Sequence, residues 1–98
     1  MDLNHIGGDE ISDIPKRVKQ NALSRELSPT VRIGKAGITD TLVAEIGDQL
    51  SNKELVKIKI NRGLFDKKDL SNIWQIIAES TGSKLVSARG NVGVFWKS

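Results

Sequence analysis

Cysteine is absent from this 98-residue chain, which excludes a disulfide framework, a thiolate metal site and a cysteine nucleophile. Histidine occurs once, as His5, so one chain cannot assemble a histidine-based metal or catalytic group. Aromatic residues are nearly as scarce. There are two Trp, two Phe and no Tyr, too few for a sheet that reads bases by stacking them, and Trp74 and Trp96 both sit in periodic apolar patterns that suit a core. No apolar run approaches the roughly 20 residues needed to cross a bilayer, and the acidic start MDLNHIGGDE does not resemble a signal peptide. These absences predict a soluble, cytoplasmic chain with no cofactor, metal, membrane partner or small-molecule substrate. Its fold must rest on packing alone, and its length suffices for one modest core.

Charge is present but unevenly placed. The formal net charge is +3, from 15 basic and 12 acidic residues. Asp2, Asp9 and Glu10 are the only charged side chains in residues 1–12, so the basic excess falls on the rest of the chain. Between Pro15 and Thr39 it is steepest, with Lys16, Arg17, Lys19, Arg25, Arg32 and Lys35 set against Glu26 alone. A local excess of this kind favours polyanions through counter-ion release, although a solvated lysine-rich surface has the same composition.

The basic segment leads into Val31–Ile46, VRIGKAGITDTLVAEI. A short β-branched run meets Gly34-Lys35-Ala36-Gly37, and Thr39 and Asp40 then open an apolar-periodic stretch. The pattern reads as strand, tight loop and helix start. Glycines allow positive φ or close backbone approach. A helix N-terminus just beyond them presents unpaired N–H groups and the positive end of its dipole, a combination that attracts phosphate. Lys35 adds a mobile positive charge. A plain strand-to-helix turn uses the same two glycines, so GxxG alone decides nothing.

The surrounding pattern supplies the rest of a fold. Residues 1–12 lack a usable period and read as a tail ahead of a domain spanning residues 13–98. Ser12 or Asp13 is placed to cap a first helix with Pro15 in its opening turn. Ile14, Val18 and Ala22 line one face of that helix, with Leu23 and Leu27 beside them and Lys16, Lys19 and Arg25 opposite, until Ser28-Pro29 stops it. A strand over Thr30–Ile33 follows, then a helix from about Asp40 to Leu50 capped by Thr39, with Leu42, Val43, Ile46 and Leu50 on one face. Gly47 weakens that helix by about 1 kcal/mol relative to alanine.

From Glu54 to Asn61, Val56, Ile58 and Ile60 alternate with Lys57 and Lys59, as in a half-buried strand whose lysines leave the core. Asn61-Arg62-Gly63 turns the chain. Asp66 caps a third helix with Phe65 and Leu70 at staple positions. That helix carries the stripe Leu70, Ile73, Trp74, Ile77 and Ala78, and Gly82 ends it. Lys84 to Arg89 and Val92 to Lys97 flank Gly90-Asn91, a pair suited to a hairpin turn. The element order is therefore α-β-α-β-α-β-β.

With these elements in place, the chain resembles the CRM (chloroplast RNA splicing and ribosome maturation) domain, in particular its stand-alone YhbY-like members. Leu27-Ser28-Pro29, the octapeptide Ile33-Gly34-Lys35-Ala36-Gly37-Ile38-Thr39-Asp40, Glu54-Leu55-Val56-Lys57, Thr81-Gly82 and Val94-Phe95-Trp96-Lys97 carry the likeness. The resemblance spans Ile14 to Ser98. It implies an α/β fold, a two-layer sandwich with a four-stranded mixed sheet, similar to the C-terminal domain of translation initiation factor three. It also implies binding of structured RNA: stand-alone members resemble large-subunit assembly factors, and plant relatives with several copies promote group II intron splicing. The family's proposed RNA contact is the GxxG loop, similar in role to that of KH domains. Trp96-Lys97 stands where the family commonly has tyrosine and arginine, and Lys16-Arg17-Val18-Lys19 is a less apolar opening than usual.

The expectation is a non-catalytic protein that binds ribosomal RNA or a pre-ribosomal particle. The candidate contacts are Gly34, Lys35, Ala36, Gly37 and Thr39, flanked by Lys16, Lys19, Arg25 and Arg32, with Lys57 and Lys59 ranked below them. A DNA-coating protein or a protein-interaction adaptor is the alternative. A phosphate-handling enzyme fits less well, because the loop lacks G-x-x-x-x-G-K-[ST] and no nucleophile-base pair can be placed.

Overall fold

The structure is a computed structural model that describes residues 14–97. The tail, His5 and the two proposed capping residues Ser12 and Asp13 lie outside the described residues. The elements are α1 (Lys16–Ala22), β1 (Val31–Ile33), α2 (Asp40–Asn52), β2 (Leu55–Ile60), α3 (Lys67–Thr81), β3 (Lys84–Arg89) and β4 (Val92–Trp96). They form an α/β fold around one four-stranded mixed sheet in the order β1-β2-β4-β3. β1 runs parallel to β2, with Val31 beside Ile58 and Ile33 beside Ile60. β4 is antiparallel to both β2 and β3.

Alternation decides which face each strand buries. Val56, Ile58 and Ile60 of β2 join Val31, Ile33, Phe95, Ile46, Leu50, Ile73, Trp74 and Ile77 in the main core, with Leu42, Phe65, Leu70 and Ala78 packed at its margin. This is the apolar stripe of α3 and most of that of α2, laid on one sheet face. Val18, Ala22, Val94 and Trp96 are buried outside that cluster, on the other face, which α1 partly covers. Both tryptophans are therefore core residues. Trp74 meets Phe95 at a ring-centroid distance of 5.9 Å in a tilted arrangement.

Caps close the long helices as the sequence implies. Thr39 Oγ1 accepts from the Leu42 N–H at 3.1 Å, Asp66 Oδ1 accepts from the Asp69 N–H at 3.0 Å, and Gly82 ends α3 in the left-handed region at φ 66°. The first helix differs from expectation. Pro15 itself occupies the N-cap position, its carbonyl accepting from the Val18 and Lys19 N–H groups. The helix also ends at Ala22, well before Ser28-Pro29. Local turns compete with it there. The Leu23 N–H donates to the Gln20 carbonyl, the Leu27 N–H to the Ser24 carbonyl, and Ser24 Oγ accepts from the Glu26 N–H. Leu23 is consequently 57% exposed, so the second apolar row does not form, and Arg25 lies on a turn, not on the helix.

At the start of β2, Arg17 Nη1 donates to both Glu54 oxygens at 2.7 and 2.8 Å. That hydrogen bond holds the Glu54 carboxyl below the usual carboxylate range and raises the Arg17 guanidinium. The pair stabilises above the ordinary glutamate range and fades as pH falls through the lowered value, and its exposed position keeps its contribution small.

Two glycines give opposite expectations for stability. A Cβ on Gly93 would stand 3.0 Å from the Trp74 ring, so Gly93→Ala overpacks the core and lowers stability by about 1–3 kcal/mol. A Cβ on Gly47 meets nothing within 4 Å, so close packing does not require that glycine, and Gly47→Ala raises stability by about 0.5–1 kcal/mol. Thermal and urea unfolding of the two variants should move in opposite directions.

Candidate nucleic-acid interface

The chain leaves β1 through a β-turn in which the Gly37 N–H donates to the Gly34 carbonyl at 3.0 Å. Gly37 adopts φ 68°, the left-handed region, whereas Gly34 does not. Only the second glycine of the loop is therefore required by backbone conformation. Lys35 and Ala36 occupy the tip and are exposed. Thr39 then turns the chain into α2 and answers one of that helix's free donors. Among the described residues, the N–H groups of Lys35, Ala36, Asp40 and Thr41 find no acceptor. These donors, the positive helix end and the Lys35 ammonium together make a place for an anion, opposed locally by the Asp40 carboxylate.

Parallel pairing brings a second loop and a second helix start to the same end of the sheet. The Asn61 N–H donates to the Ile33 carbonyl at 2.9 Å, and the Asn61 amide and the Phe65 ring lie against Gly34 and Gly37. Arg62, Lys67 and Lys68, all exposed, therefore share the end that carries Lys35. Sequence reasoning missed these three. The usable signal was the capped start at Asp66, which puts Lys67-Lys68 in the first turn of α3. Cations there are disfavoured by the helix dipole, by about 0.3–1 kcal/mol each, unless an anion is nearby.

The other candidates separate into groups. Arg32 and Lys59 are register partners, side by side on the sheet face away from the main core and close to the loop. Lys16 and Lys19 are exposed on α1, whose start is tied to Glu54 at the far end of β2. Six residues of strand set them about 20 Å from the loop. Lys57 does not project freely: its ammonium donates to the Leu27 carbonyl at 3.0 Å in a part-buried setting, fixing the segment after α1 on the sheet. Arg25, exposed, borders a groove between that segment and the sheet.

Among the described residues no group of three or more His, Asp or Glu could hold a metal ion, and no helix is long and apolar enough to cross a membrane.

Known proteins share this architecture. The CRS1 / YhbY (CRM) domain family model matches residues 16–97. "Probable RNA-binding protein YqeI" of Bacillus subtilis is 26% identical over 74 residues, covering 76% of this chain and 75% of that protein. An "RNA-binding protein" of Haemophilus influenzae is 31% identical over 75 residues, covering 76% and 74% respectively. The solution structure of the hypothetical protein SAV1595 from Staphylococcus aureus superposes with a TM-score of 0.67 at 29% identity, over 87% of this chain and 88% of that one.

The two loop glycines should respond differently to a methyl group. A Cβ at Gly34 makes an ordinary contact at 3.6 Å with the Asn61 amide, so Gly34→Ala leaves the melting temperature nearly unchanged. Gly37→Ala must hold alanine at positive φ, at a cost of about 1–2 kcal/mol, and melts several degrees lower.

Proposed function

The chain belongs to the CRS1 / YhbY (CRM) domain family, and from that membership we propose that it is a non-catalytic RNA-binding protein acting in the cytoplasm. Its RNA is structured ribosomal RNA, bound while the large subunit is assembled, and residues 13–98 are the binding domain. The observation that carries this reading is the meeting of two loops and two helix starts at one end of the sheet, where unpaired backbone donors lie among Lys35, Arg62, Lys67 and Lys68. The relatives from B. subtilis and H. influenzae, named as RNA-binding proteins, support the choice of polyanion.

The mechanism is positional. Donors of the Gly34–Gly37 turn and of the first turn of α2 hold one phosphate, with Thr39 fixing the entry of that helix. Lys35 neutralises the phosphate, and the cations at the start of α3 hold its neighbours. Such contacts set affinity and register without reading sequence. Selectivity then comes from RNA shape and 2′-hydroxyl groups.

Four measurements test this. In a salt titration, Lys35→Ala should reduce the slope of log affinity against log salt by about one and weaken all RNAs alike; an unchanged slope removes Lys35 from the interface. Gly37→Asp, carrying both strain and a negative charge, should bind far more weakly, and retained binding by the folded variant removes the loop. Crosslinking in cell extract followed by sequencing of the attached RNA should recover large-subunit ribosomal RNA. Competition with duplex DNA at near-physiological salt separates this reading from a DNA-coating protein.

A further inference from the structure

Strand order brings together residues that lie far apart in the chain. Arg32 of β1 pairs with Lys59 of β2, Lys59 with Val92 of β4, and Val92 with Arg89 of β3. Directly paired residues share a sheet face. Val31 and Ile33 on either side of Arg32, and Ile58 and Ile60 on either side of Lys59, belong to the main core, so the row faces the other way. It crosses the sheet over three strand spacings, roughly 14 Å. Among the described residues, Arg32, Lys59 and Arg89 form no ion pair or hydrogen bond through their side chains, in contrast to Arg17 and Lys57.

The row runs into the groove noted above, which has a volume of about 300 Å³ and is bordered by Arg25 and Arg89 over a floor that includes Ser87, Val92 and Val94. No acidic residue lines it. Leu23 stands at its rim, exposed. The groove is at the small end of the range for ligand sites. Val92 and Val94 give the floor an apolar surface beside Ser87, and its two free flanking groups are guanidinium planes, which stack on bases as well as pairing with phosphates.

We infer that this face is a second RNA contact, in which unpaired nucleotides leaving the Gly34–Gly37 loop run along Arg32 and Lys59 and seat one base in the groove between Arg25 and Arg89. The inference rests on the RNA-binding reading and adds to it a preference for structured RNA with an adjoining single strand. The charge row supplies the path, because each cation is one strand from the next except across Val92. The groove supplies the end of the path, and Lys57 fixes it in shape by tethering the segment that forms its outer wall.

The test compares a blunt RNA hairpin with the same hairpin carrying a short single-stranded uridine extension, both titrated against the full chain at fixed salt. The wild type should bind the extended hairpin at least about fivefold more tightly, the effect of one stacked base. The variant Arg89→Ala, at an exposed position, should lose most of that preference while its affinity for the blunt hairpin stays within about twofold. Lys35→Ala should weaken both RNAs alike and keep the preference. A wild type that binds both hairpins equally overturns the groove contact and leaves the RNA-binding reading standing, as does an Arg89→Ala variant that weakens both equally or keeps the full preference. Displacement of neither RNA but capture of an acidic peptide by the groove also overturns it. Failure to bind either hairpin overturns both readings.

Discussion

Parallel pairing of β1 with β2 cannot be made by a tight turn. After Ile33 the chain must travel back along the sheet before Leu55 can begin, and α2 is the return path. The geometry has an unavoidable result: both strands end, and both following helices begin, at the same edge of the molecule. Backbone donors that helices leave unpaired are thereby gathered at one place. Everything proposed about phosphate contact depends on this pairing, since an antiparallel β1 would point its loop at Glu54 and the Arg17 ion pair.

The core serves that arrangement. Ile33, the last residue of β1, is 1% exposed, and Ile60, its register partner, is 0% exposed. The backbone that carries the Gly34–Gly37 turn is thus anchored by side chains buried among those of α2 and α3. At the far side of β2, the Ile60 N–H donates to the Asn91 carbonyl and the Asn91 side-chain amide donates back to the Ile60 carbonyl. The hairpin turn is therefore tied to the same edge, which brings Arg89 within one face of Lys59. Gly93 lets the Trp74 ring lie almost against β4, which seats α3 close to the sheet.

Much of the fold was legible because local signals and tertiary needs agree. The alternation of Val56, Ile58 and Ile60, the stripe from Leu70 to Ala78, the caps at Thr39 and Asp66, the stop at Gly82 and the Gly90-Asn91 hairpin each depend on neighbours a few residues away. What escaped depends on distant partners. The early end of α1 follows from turns around Ser24 and from a lysine thirty positions later, which a helical period cannot report. Lys57 reads as a solvent-facing strand residue until the Leu27 carbonyl is placed above it. Arg62, Lys67 and Lys68 were unremarkable in the sequence because a two-residue period marks a strand without stating the direction of its partner. The exposed tip of the glycine loop was recognisable; its company was not.

β1 is only three residues long and lies at the border of the sheet, with a ladder on one side alone. Few hydrogen bonds hold it, so its resistance to detachment comes chiefly from the two aliphatic side chains it inserts, Val31 and Ile33. Segments held this way are among the first to open in native-state fluctuations. The turn it carries consequently sits where the molecule yields most readily, and a ligand gripping that turn would stiffen the border strand along with it. Occupancy would then be written into the slowed amide exchange of β1, a record of binding kept by the scaffold and not by the tip that makes the contact.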